Sequence, residues 1–256
     1  MDRALKKHFT DEWRRYFPGA ELPIALWYED EPKGITQAPV AKGHRCLICD
    51  LSGVRQGNAL SFGADTVGCG GGTRYTGFTQ EISPQFDYFL SCGIPGKLEG
   101  ERYKKSPEIV HRMMEDMAPF HAPARHLVFS PWDLLREKDE PAVVIFFATC
   151  DVLAGLFTLV NYDRVDLHGV IAPMGAGCAS IVYYPYTELA SERPRAVLGM
   201  FDVSARPCVG GSELTLAIPW PLFARMVENI EESFLITPSW DKVRDRIRRH
   251  LECELQ

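Results

Sequence analysis

Apolar residues fall four apart at Leu5, Phe9, Trp13 and Phe17, which lines one slowly drifting face and predicts an amphipathic helix over residues 4–17. Pro18-Gly19 ends it. The run from Pro23 to Tyr28 reads as a strand, and a polar loop with Pro32 and Gly34 follows. His44 to Val54 reads as a short helix, Asn58 to Val67 as a strand, and Pro84 to Leu90 as a helix. Ser106-Pro107-Glu108 combines a cap hydroxyl, a first-turn proline and an acid near the positive end of a dipole, so a helix is predicted over residues 108–117.

Two strands are predicted next, at His126–Phe129 and Ala142–Thr149. The second is a continuous Val/Ile/Phe run of the kind a sheet buries on both faces. Asp151 to Val160 reads as a helix behind it, and Gly169 to Pro173 as a short strand. Cys178 to Leu189 starts as a helix that Pro185 kinks or ends. Strands at Ala196–Val203 and Glu213–Ile218 and helices at Trp220–Phe234 and Trp240–Cys253 close the chain. This alternation predicts an α/β or α+β fold, a mixed sheet flanked by helices. No linker demands a boundary, so residues 1–256 read as one domain.

Composition narrows the class. A chain of 256 residues with 46% hydrophobic content supplies a sizeable core. A net charge of −6 offers no global positive field for nucleic acid or an anionic membrane, and neither is an expected partner. Met1 to His8 is polar where a secretory segment would be apolar, and Asp151 interrupts the longest apolar stretch. The expectation is therefore a cytoplasmic protein with no transmembrane segment. Eight cysteines are too sparse for a disulfide framework, and in a reducing compartment they should be free, liganded or redox-active. For any single one, burial in the core is the default.

Two of these cysteines sit in similar glycine turns, Gly68-Cys69-Gly70-Gly71-Gly72 and Gly175-Ala176-Gly177-Cys178, a recurrence that raises the reading of two related halves. A thiol at a strand-to-helix turn faces free N–H groups and a helix dipole, which favours the thiolate and hence metal binding. Neither turn is a dinucleotide fingerprint, since Thr73 and Ser180 stand where a third glycine belongs. Both could cradle an anion on converging N–H groups. Cys46-Leu47-Ile48-Cys49 is a lone C-x-x-C without the second pair of a zinc ribbon. Taken together, Cys46, Cys69 and Cys178, with Cys49 as a fourth, could hold a soft metal such as zinc or an iron–sulfur cluster. No nucleophile elbow, H-E-x-x-H or phosphate-binding loop is present. The basic run Lys242 to His250 alternates with Val243 and Ile247 at helical spacing and reads as a solvated helix face.

Several of these segments together resemble an uncharacterised prokaryotic family, domain of unknown function 169 or archaeal conserved region. The matching residues are Pro23-Ile24-Ala25-Leu26, Arg45-Cys46, Gly68-Cys69-Gly70-Gly71, Lys105-Ser106-Pro107-Glu108, Cys178-Ala179 with Tyr184-Pro185-Tyr186, and Ser204-Ala205-Arg206 to Ala217-Ile218-Pro219. The resemblance implies a compact cytoplasmic α/β protein with Cys46, Cys69 and Cys178 at family cysteine positions, and implies no particular activity. Family members often carry a glycine-cysteine pair shortly before the residues matching Ser204 and Arg206. Phe201-Asp202 fills that place here.

Three readings follow. The first is a metal or iron–sulfur protein of redox or anaerobic metabolism, an enzyme or an accessory subunit, using Cys46, Cys49, Cys69 and Cys178. In it Arg74 and Arg206 would hold an anionic ligand nearby. The second is a metal-free module that presents Gly70, Gly71, Gly72 and Gly177 to a small anionic metabolite, with Arg74 and Arg206 as counter-charges. The third is an assembly subunit, in an oligomer or with a partner chain, whose cysteines are all core.

Overall fold

The computed structural model describes residues 1–254. Helix α1 (Arg3–Tyr16) starts where the Asp2 carboxylate accepts the Ala4 N–H at 2.7 Å, and it buries Phe9, Trp13 and Tyr16. Strand β1 (Ile24–Glu29) and the two-residue β2 (Thr36–Gln37) precede α2 (Leu47–Arg55). After these come β3 (Leu60–Phe62), α3 (Gly70–Tyr75), α4 (Phe86–Leu90), α5 (Pro107–Asp116) and β4 (His126–Pro131). The second part of the chain holds β5 (Val143–Ala148), α6 (Cys150–Val160), β6 (Val170–Ile171), a π-helical turn (Ala179–Tyr183) and α7 (Tyr184–Glu188). It ends with β7 (Ala196–Gly199), β8 (Leu214–Pro219), α8 (Trp220–Asn229) and α9 (Pro238–Glu254).

The strands form one mixed sheet of eight in the order β2-β3-β4-β1-β5-β8-β7-β6. This is the expected α/β architecture. The order is also a palindrome of two equivalent halves: β2 runs parallel to β3 and β6 to β7, whereas every other pair is antiparallel. Each half therefore has the order second, third, fourth, first, and the halves meet at β1 and β5. The ends of β4 and β8 match in detail, since each closes on Pro-Trp. Trp132 N–H donates to Pro23 C=O at 3.0 Å, and Trp220 N–H donates to Ala142 C=O at 2.8 Å.

Two related halves are thus present, but the correspondence differs from the one the glycine turns suggested. Cys46 and Cys178 occupy the same place, just before the helical segment between second and third strands. Cys69 corresponds to the Phe201-Asp202 segment, because both follow a third strand.

Alternation along the strands builds two cores. Ala25, Trp27, Val144, Phe146, Leu216 and Ile218 face α1, α6, α8 and α9. Ile24, Leu26, Phe129, Val143, Ile145 and Ala217 face α2 and the π-helical turn. The cysteine turns lie with the second face.

Several predicted boundaries move, among them that of the strand expected to run to Val203, which ends at Gly199. The strand predicted to run to Val67 stops at Phe62, since the Gly63 N–H and C=O both bond the Thr66 hydroxyl in a turn. The helix that Pro185 was to kink begins as the π-helical turn, which accommodates the ring within a continuous helical path. The helix expected to reach Phe234 ends at Asn229 and continues as short 3-10 turns. Among the described residues no helix is long and apolar enough to cross a membrane.

Candidate metal centre

Cys46 and Cys69 are the N-cap residues of α2 and α3, and Cys178 leads directly into the π-helical turn. Three helical entrances thus converge. The loops that carry them are tied in pairs related by the internal two-fold. Arg45 N–H donates to Gly68 C=O at 3.0 Å, which joins the Cys46 loop to the Cys69 loop. Gly177 N–H donates to Asp202 Oδ2 at 2.9 Å, which joins the Cys178 loop to the segment equivalent to Cys69. Both ties depend on glycine. A Cβ on Gly68 would stand 2.6 Å from Arg45 Cβ and 2.9 Å from its backbone nitrogen, and one on Gly177 would stand 2.9 Å from Ile48 Cγ1.

The side chains of Cys46, Cys69, Cys178 and Asp202 are near enough to influence one another electrostatically. Cys178 is buried, and burial is the main reason its thiol titrates well above the usual range; the neighbouring Cys69, Cys46 and Asp202 raise it further. Cys69 is also raised, first by burial and then by Cys46 and Asp202, against the Gly72 N–H that donates to its Sγ at 3.1 Å. The Cys69 turn does direct an N–H group at sulfur. Desolvation outweighs that effect, however, so the lowered thiol pKa expected at these turns is not found for Cys69 or Cys178.

Among the described residues, the Cys46, Cys69 and Cys178 sulfurs and an Asp202 oxygen do not supply three ligand atoms all within 4.8 Å of one another. A tetrahedral zinc with bonds of about 2.3 Å brings sulfurs to roughly 3.8 Å. The set is therefore wider than a preformed zinc site.

Asp202 is the group that the residue-by-residue reading missed. Its Oδ1 accepts the Ser204 N–H and hydroxyl at 3.0 and 2.7 Å, and its Oδ2 accepts from Gly177, leaving lone-pair capacity on the second oxygen. The signal was in the sequence, at the Phe201-Asp202 position where the resemblance implies a family thiol.

Other expected site residues go elsewhere. Cys49 is joined to Cys208 in a disulfide, which removes it from the fourth-ligand position expected for it. The reason is the helix face: Leu47, Ile48, Leu51 and Val54 are buried, which turns Cys49 outward toward the 3-10 turn Arg206–Cys208. Arg206 donates Nη1 to Glu213 C=O and Nη2 to the carbonyls of Gly210 and Gly211, so its guanidinium braces its own loop. Arg74 donates to Gln80 C=O at 2.6 Å. Gly72 gives its N–H to Cys69, and of the glycine run Gly70 is exposed and Gly71 half-buried.

The family model described as uncharacterised ArCR, domain of unknown function 169, matches residues 21–229. The chain belongs to this family. Its model spans both halves of the sheet and all four residues of the centre, while α1 and α9 lie wholly outside the matched residues. No curated protein and no solved structure matches the chain.

Proposed function

We propose that this chain is a cytoplasmic iron–sulfur protein in which Cys46, Cys69 and Cys178 bind the cluster and Asp202 supplies the fourth donor, with a role in redox or anaerobic metabolism. The observation that carries the reading is that three cysteines and one carboxylate from four separate loops lie near one another, the loops tied in two equivalent pairs by the Arg45–Gly68 and Gly177–Asp202 hydrogen bonds. Soft thiolates suit iron, and N–H groups aimed at sulfur, as Gly72 is at Cys69, tune such a centre.

Asp202 makes the four donors unequal. Carboxylate oxygen is a harder donor than thiolate, so the iron at that corner is the one most open to exchange with an external ligand. Substrate or redox-partner access belongs at that corner. The anion-binding alternative is weaker, because Arg206 and Arg74 are committed to backbone carbonyls.

Anaerobic reconstitution with ferrous iron and sulfide tests the proposal. Wild-type protein should take up both with charge-transfer absorbance in the visible, Cys69→Ala and Cys178→Ala should lose nearly all of it, and Asp202→Ala should load less. Equal loading of wild type and both cysteine variants, each folded by thermal melt, would overturn the assignment.

A further inference from the structure

The cluster reading employs Cys46 but gives no task to the pair beside it. The Sγ atoms of Cys46, Cys49 and Cys208 all lie within 4.8 Å of one another, and the Cys49–Cys208 bond is formed while Cys46 is free. A free thiol held against a disulfide is the arrangement that exchange requires. Cys49 is exposed, and Cys46 and Cys208 are half-buried. Cys46 and Cys49 open the same helix, where Cys46 has extended backbone and Cys49 N–H donates to Cys46 C=O at 3.1 Å.

We propose that Cys46, Cys49 and Cys208 form a thiol–disulfide exchange centre. The Cys46 thiolate attacks Cys49 Sγ, the Cys46–Cys49 bond forms as the Cys49–Cys208 bond breaks, and Cys208 leaves as a thiolate. One S–S bond is made and one is broken. The proton given up by Cys46 is taken by Cys208 through solvent, and no oxidant or reductant is consumed. Cys49 is the sulfur attacked because the product closes within one turn of α2 and frees Cys208 on its own short turn, so no element has to move. The consequence rests on the cluster reading: Cys46 in a disulfide is lost to the cluster, so the position of the disulfide sets whether the centre is complete. The exchange itself does not rest on that reading.

The test uses metal-free wild-type protein held at pH 8 under argon with no added thiol, then quenched in acid, alkylated and mapped after trypsin. Cleavage after Arg45 and Arg55 releases residues 46–55 with both C-x-x-C cysteines, so the exchanged form appears as that peptide two hydrogens lighter and unalkylated. Both the Cys49–Cys208 cross-link and this looped peptide are expected in wild type, and only the cross-link in Cys46→Ser. Cys49–Cys208 alone in folded wild type, with Cys46 fully alkylated, would overturn the exchange. That result would leave the cluster reading standing, just as absence of iron would leave the exchange standing.

Discussion

Asp202 shows how a single residue's role depends on which positions are equivalent. Read alone, an acid in a polar turn is a solvated side chain; set against the internal two-fold it occupies the place of Cys69. Asp202→Cys should therefore raise iron retention above wild type and shift the visible spectrum, as replacing oxygen by thiolate gives iron a softer donor. Reconstituted protein passed through a desalting column and assayed for iron checks this, and lower retention in the variant would count against Asp202 as a donor. The glycines make a second residue-scale prediction. Gly68→Ala forces a methyl into the Arg45 backbone, which has no flexible end to yield, and should cost about 1–3 kcal/mol of stability in urea unfolding. Cys69 and Cys178 stood out in the sequence by their glycine turns and Cys46 by its C-x-x-C, and the structure places all three at helical entrances. Arg206 was not legible, since an arginine that braces carbonyls and one that grips an anion look alike in sequence.

Helix α2 opens at Cys46 of the proposed centre, and its far end is pinned by charge. Arg55 donates to Glu21 through Nε and Nη2 and to Glu213 through both terminal nitrogens, at 2.6 to 3.1 Å, and its guanidinium lies 4.4 Å from the centre of the Phe147 ring. Glu213 in turn accepts the Gly210 N–H, and its own C=O accepts from Arg206. This network fixes α2 against the loop that carries Cys208. Arg55→Ala should cost about 1.5–3 kcal/mol, the range for hydrogen bonds to charged groups, measured by urea unfolding at pH 7. Burial pushes the Glu213 carboxyl up, but Arg55 and the Gly210 N–H outweigh it and hold it below the usual carboxylate range. A depressed folded-state pKa means this stability is present above an unfolded value of about 4.3 and is lost as pH falls through the lower folded one. Glu213→Gln should flatten that acid limb of the stability curve, and an unchanged limb would remove Glu213 from the account. At this scale the strongly periodic elements were readable from the chain, α1 and β5 to within a residue or two. Strand β2 was not, because two exposed polar residues on a sheet edge carry no apolar pattern.

Across the whole molecule, the duplicated sheet explains why the centre lies where it does. Each half offers one helix entrance and one turn after a third strand, on the same face, and joining the halves at β1 and β5 brings the two pairs together. Half of the proposed ligand set comes from residues before 70 and half from residues after 177, so on this proposal neither half alone completes it. The repeat was only partly visible in sequence. The chain preserves strand order and the Pro-Trp strand ends, whereas the catch-words that stood out, the two glycine-cysteine turns, belong to non-equivalent positions. The most direct measurement is the visible absorbance of wild-type protein purified without oxygen or chelator, together with its iron and sulfide content. The account predicts a broad visible band with iron and acid-labile sulfide in stoichiometric amounts. A colourless, folded protein without stoichiometric metal, with Cys46, Cys69 and Cys178 all reduced, would contradict it.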